Sequence, residues 1–271
     1  LTMEFLDDFI TPGQLYAGLQ DKRYSFLLES VEGEEKVSRY SFIGTNPLIV
    51  VSSKGRRVTV DDRIAATKSS FIASVDPLYE LKAVMDRYSV ADHDEAPFDG
   101  GFVGYAGYDT VRFFEPVLDG AGRSKDALTC FVLPGHVATF DHRDKKLILT
   151  AFVPIGRRSE AALKRLYNVE MRQMKAFIDR VSRMHPLKPL SLSQRTRLKV
   201  TSNLTSGGYE DAVRKAQKHI RAGDIIQAVL SQRMQCPFPA NKAFDAYRYL
   251  RMLNPSPYMY YLDFGGIKVA G

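Results

Sequence analysis

The chain has no tryptophan among its 271 residues, two cysteines and five histidines. Cys130 and Cys236 are far apart, sit in apolar, strand-like runs and form no metal or redox spacing, which excludes a disulfide framework or a CxxC zinc site and leaves buried reduced thiols. His93, His136, His142, His185 and His219 lie in unrelated contexts without HExxH, so they read as surface or loop residues and not ligands. GxxxxGK[ST] and GxSxG are missing, and the glycines of 100–107 do not match GxGxxG, so a nucleotide loop or a serine nucleophile has no support. The longest apolar runs, 47–51 and 225–230, fall far short of the roughly 20 residues needed to span a bilayer, so no membrane segment is expected. The first ten residues hold Glu4, Asp7 and Asp8 and no basic residue; no leader is visible, and a cytoplasmic location is expected.

Apolar residues make up 45% and charged residues 25% of the chain, the balance of a folded globular protein. Net charge is +7. Between 157 and 199, twelve Lys and Arg face three Asp and Glu, an excess of nine that leaves −2 for the rest of the chain. There Leu163, Leu166, Met174, Phe177, Ile178 and Val181 recur at helical spacing with charges between them. That pattern is a solvated helix face followed by a linker, and no nucleic-acid partner is expected.

Residues 24–29, 39–52 and 56–61 are rich in β-branched and aromatic side chains between turn residues and predict antiparallel strands. Asp76 offers an N-cap to a helix opened by Pro77 and carrying Leu78, Leu81, Met85 and Tyr88 on one face. Two more strand-like runs lie in 127–153, and a basic helix covers 159–181. Residues 206–222 predict a helix ended by Gly223, followed by a strand at 225–235, a helix at 244–253 and a hairpin of 258–264 with 267–270 across Gly265-Gly266. The proline- and serine-bearing stretch 186–206 reads as a connection between residues 1–185 and a second part, 207–271.

Three runs resemble the large subunit of anthranilate synthase and occur in that family's order. They are Leu27-Leu28-Glu29-Ser30 followed by Arg39-Tyr40-Ser41-Phe42-Ile43-Gly44, then Gly223-Asp224-Ile225-Ile226-Gln227-Ala228-Val229-Leu230-Ser231-Gln232-Arg233, and Asn254-Pro255-Ser256-Pro257-Tyr258-Met259-Tyr260-Tyr261-Leu262. The resemblance extends through the glycine-rich 100–109 and thins between 157 and 206. It implies an α+β fold, a two-part, β-sheet-rich sandwich flanked by helices, with 1–185 regulatory and 207–271 the start of a chorismate-binding domain. It also implies amination of chorismate and loss of pyruvate to give anthranilate, with Mg2+ on the substrate carboxylates, ammonia from a glutamine amidotransferase subunit, and feedback inhibition by L-tryptophan.

By the same resemblance Ser30, Pro257, Tyr258 and Met259 line the tryptophan pocket. The chemistry suits an amino acid: Glu29 or backbone carbonyls for the ammonium, Leu28, Pro257 and Met259 for the ring, and Arg39 for the carboxylate. Related enzymes that add water carry a lysine base where this chain has Gln227; ammonia already has its lone pair, so glutamine fits an amine-adding enzyme. Gly271 matches the glycine that opens the family's chorismate-contacting G-[AS]-S-P-E segment. The rest of that segment and the Mg2+-binding glutamates would follow it, so these 271 residues alone are expected to be inactive. Aminodeoxychorismate synthase shares the overall pattern, and a non-catalytic tryptophan-binding module is the reading from a different class; NPSPYM together with LLES favours anthranilate synthase.

Overall fold

The computed structural model describes residues 1–6, 10–19, 23–30, 39–90, 97–118, 129–191 and 199–271. In chain order its elements are β1 (Thr2–Leu6), α1 (Pro12–Leu19), β2 (Ser25–Glu29), β3 (Tyr40–Thr45), β4 (Ile49–Lys54), β5 (Arg57–Asp62), β6 (Thr67–Ile72), α2 (Pro77–Met85), β7 (Val103–Ala106), β8 (Thr129–Leu133), β9 (His136–Asp141), β10 (Lys146–Ala151) and α3 (Glu160–Val181). There follow β11 (Thr201–Ser202), α4 (Ser206–Ala222), β12 (Met234–Gln235), α5 (Ala243–Leu253), β13 (Met259–Phe264) and β14 (Ile267–Ala270). They divide into two compact units, Leu1–Lys188 with Ala246–Gly271, and Pro189–Asp245.

The first unit holds a seven-stranded antiparallel sheet, β1-β10-β9-β3-β2-β13-β14, and a five-stranded one, β6-β5-β4-β8-β7. Phe26, Leu262 and Phe264 of the larger sheet pack on Val50, Cys130 and Val132 of the smaller. The expected sheet-rich α+β sandwich flanked by helices is present. Gly44 lies opposite Phe26, and a Cβ there would overlap the Phe26 ring, so the ring lies flat across the neighbouring strand. The outer face of the smaller sheet buries Val51, Val58 and Val60 against Leu81 and Val84 of α2. Asp76 caps that helix as its sequence predicts, accepting from the Leu78 and Tyr79 amides at 2.7 and 2.8 Å.

The run 39–52 is two strands, not one, because Asn46, at φ 51°, and Pro47 interrupt the ladder. The chain crosses from β3 in one sheet to β4 in the other at that point. Pro134-Gly135 makes the return crossing between β8 and β9 beside it, with the Gly135 amide on Asn46 O at 2.9 Å. Residues 127–153 accordingly give three strands where two were expected. Strands β1, β6 and β11 and helix α1 lie outside the elements expected from the sequence.

The other differences lie late in the chain. The strand expected at 225–235 is reduced to Met234–Gln235, paired with Thr201–Ser202. A strand is satisfied by its neighbours' backbone groups, and among the described residues none pairs with 225–230; Ile226 is 97% and Val229 87% exposed. Residues 258–270 form the expected hairpin, but β13 pairs with β2, so this end of the chain completes the sheet of the first unit. The division at 186–206 read from the sequence therefore differs from that of the compact units, which return to the first unit at Ala246.

Candidate functional site

Two runs distant in sequence meet where β2 and β13 pair. Met259 lies opposite Glu29, Tyr260 opposite Leu28 and Tyr261 opposite Leu27. Alternation along a strand sends these pairs to opposite faces. Leu28 belongs with Phe42 and Tyr105 to the layer between the sheets, whereas Glu29, Met259, Leu27 and Tyr261 face the helices. The LLES and PYM runs are thus brought together, but Leu28 and Met259 do not share a wall.

On the helix side Glu29 is 5% exposed, and such a carboxylate needs partners. Both come from α5. Tyr247, fully buried, donates its hydroxyl to Glu29 Oε2 at 2.6 Å, and Arg251 Nη1 lies 3.4 Å from Oε1. Residues 247 and 251 are one helical turn apart and reach the same carboxylate. Burial pushes the Glu29 carboxyl above its ordinary value, opposed by the Arg251 charge and the Tyr247 hydrogen bond. Tyr16 follows the same logic: its hydroxyl is 2.9 Å from Ser25 Oγ, and its ring meets Tyr261 edge-on at 5.4 Å. Tyr247, Arg251 and Tyr16 were not among the sequence candidates; the signal that could have found them is a glutamate inside an apolar strand, which demands a donor.

Arg39 is already engaged. Its guanidinium donates to Asp141 at 2.7 Å and Asp144 at 3.0 Å and lies 4.8 Å from the centre of the Tyr40 ring. Asp141 is held below the usual carboxylate range: burial acts against this, and the Arg39 hydrogen bond with the Asp144 and Arg143 amides overcomes it. Nearby, His142 Nε2 is 2.8 Å from Ser41 Oγ. Ser30 and Pro257 are half-buried at the ends of β2 and β13, and Tyr258 is 74% exposed.

Gln227 is exposed in the second unit, in the segment that forms no strand. Gly271 extends the β13–β14 ladder, exchanging hydrogen bonds of 2.9 and 3.1 Å with Tyr260. A Cβ at Gly271 would lie 2.6 Å from the Tyr260 hydroxyl, so this position holds no larger residue without a shift. Among the described residues no group of three or more His, Cys, Asp and Glu could hold a metal ion.

The family model described as chorismate binding enzyme matches residues 25–271. The chain belongs to this family. It is 34% identical over 278 residues to anthranilate synthase component 1 of Acetivibrio thermocellus, across 100% of this chain and 55% of that protein. The same component of Aquifex aeolicus is 35% identical over 285 residues, across 100% and 54%. Among solved structures, anthranilate synthase component I from Streptococcus pneumoniae TIGR4 superposes with a TM-score of 0.61 at 26% identity, covering 89% of this chain and 51% of that one. The chain spans about half the length of the curated relatives it matches.

Proposed function

We propose that this chain serves in a large subunit of anthranilate synthase, acting in tryptophan biosynthesis in the cytoplasm. Chorismate and ammonia give anthranilate, pyruvate and water, the ammonia being released from glutamine by an amidotransferase partner subunit, and L-tryptophan inhibits. The observation that carries the reading is the pairing of Glu29 with Met259, which joins the LLES and PYM runs at one place in the sheet.

The effector is taken to sit at this end of β2 and β13, with Ser30, Pro257 and Tyr258 around it and Leu28 as apolar wall. Because the Glu29 carboxylate is held by Tyr247 and Arg251, backbone carbonyls are the better partners for the ligand ammonium. Arg39 could meet the ligand carboxylate only by leaving Asp141 and Asp144. Gln227 supplies no base, which suits ammonia as nucleophile, and Gly271 opens the chorismate-contacting segment. Mg2+ belongs to this reading, and among the described residues no group of three or more His, Cys, Asp and Glu could hold it.

The test is anthranilate fluorescence from the full-length protein that contains this chain, given chorismate, Mg2+ and ammonium with and without L-tryptophan. Product that falls on adding tryptophan supports both the reaction and the effector. Aminodeoxychorismate in place of anthranilate would transfer the protein to the related synthase.

A further inference from the structure

We propose that the cleft between α3 and the seven-stranded sheet is a binding site for a small apolar monocarboxylate. A cavity of about 290 Å³ lies there, near the lower bound of ligand pockets. Its sheet side is Ile43, Ala138 and Leu149, which share one face because they are opposite one another across β3, β9 and β10. Its helix side is Met174 and Phe177.

Polar groups stand on the border of this apolar chamber. Asn46 Nδ2 donates to His136 Nδ1 at 2.7 Å, which leaves the hydrogen of the ring on Nε2, 3.2 Å from Glu170 Oε2. Both ring nitrogens are thereby engaged, and the orientation of the imidazole is fixed. The remaining charged group of the lining is Arg180, whose guanidinium lies 5.6 Å from the centre of the Phe177 ring and forms no ion pair among the described residues. A guanidinium beside an apolar chamber suits a planar carboxylate, which it can engage through two parallel hydrogen bonds. One cation, with Glu170 close by behind His136, disfavours a second negative charge, so a phosphate or dicarboxylate fits worse. Glu29, Ser30 and Pro257 to Met259 take no part in the lining, and the inference stands independently of the proposed effector site.

Benzoate is the probe, with benzyl alcohol as its uncharged counterpart, added to the full chain while the Met174 methyl resonance is followed by NMR. The expected result is a saturable Met174 shift with benzoate. Arg180→Gln should weaken benzoate about tenfold, roughly 1.4 kcal/mol, and leave benzyl alcohol unchanged. Ala176→Phe, at an exposed helix position on the cavity, should abolish both while melting as wild type does. Equal benzoate affinity in wild type and Ala176→Phe, equal affinity in wild type and Arg180→Gln, or no shift up to about 10 mM, weaker than any useful site, would overturn the proposal.

Discussion

The Tyr247 hydroxyl donates to Glu29 Oε2 at 2.6 Å and ties α5 to the strand carrying LLES. Both groups are buried, so removing the donor leaves a carboxylate oxygen short of a partner. Tyr247→Phe keeps the ring against Tyr261 and should cost about 1–3 kcal/mol, the range for a buried polar group left unsatisfied. Urea denaturation measures it; a change under about 0.5 kcal/mol would mean that water replaces the hydroxyl.

The pH dependence of Glu29 has a definite sign. Burial raises its folded-state value above 4.5, so folding favours the protonated acid. Its contribution to stability is fully present below the unfolded value and is lost as pH rises through the folded one. Relative to wild type, Glu29→Gln should therefore gain stability between about pH 4.5 and neutrality, because glutamine cannot ionise. Parallel stability curves over that window would contradict the burial argument.

Asp141 gives the opposite slope. Its folded-state value is below 3.8, so its contribution is present above the unfolded value and disappears as pH falls through the folded one. Asp141→Asn should lose stability at neutral pH and show a shallower acid limb than wild type. In Arg39→Ala the Asp141 carboxyl should titrate at higher pH, as read from its carbon-13 shift; an unmoved titration would show that the backbone amides alone hold the charge.

How much of this was legible in sequence depends on where each residue finds its partners. The Asp76-Pro77 cap, the Gly223 stop and the Gly265-Gly266 turn are local, satisfied within a few residues, although the helix that Asp76 opens ends at Met85 and leaves Tyr88 outside it. Alternation in Ser25–Glu29 marks a strand but not its neighbours: the resemblance implied a shared pocket for Ser30 and Pro257 to Met259, and the pairing of β2 with β13 is visible only in the structure. The crossings at Asn46 and Gly135 were missed because apolar character continues through Pro47 from one sheet into the other. The residues 225–230 failed in the other sense: β-branched side chains state a preference that only a pairing strand realises. For the site, Tyr247 and Arg251 read as ordinary helix residues until Glu29 is placed beside them.

Thr139 is buried on the face that Phe42 shares, and its hydroxyl has no hydrogen-bond partner among the described residues. Thr139→Val keeps the shape and removes the unsatisfied group, so thermal and urea unfolding should show a gain of about 1 kcal/mol. A loss of that size would mean that the hydroxyl is hydrogen-bonded in solution, for example to a buried water.

The chain's lack of tryptophan makes bound L-tryptophan the sole indole in a binding experiment. Its emission on titration reports its own surroundings, and a blue shift is expected as the ring leaves water for Leu28 and Pro257. Met259 is a poor probe by substitution because it is 2% exposed, and truncating it would disturb the core as well as the ligand. Ser30→Ala is cleaner: losing one hydrogen bond, about 0.5–1.5 kcal/mol, should weaken binding roughly threefold to tenfold. Arg180→Gln, beside the α3 cleft, should leave the titration unchanged. The reverse pattern, with Ser30→Ala silent and Arg180→Gln weakening the indole signal, would move tryptophan from the β2–β13 end to the cavity under α3.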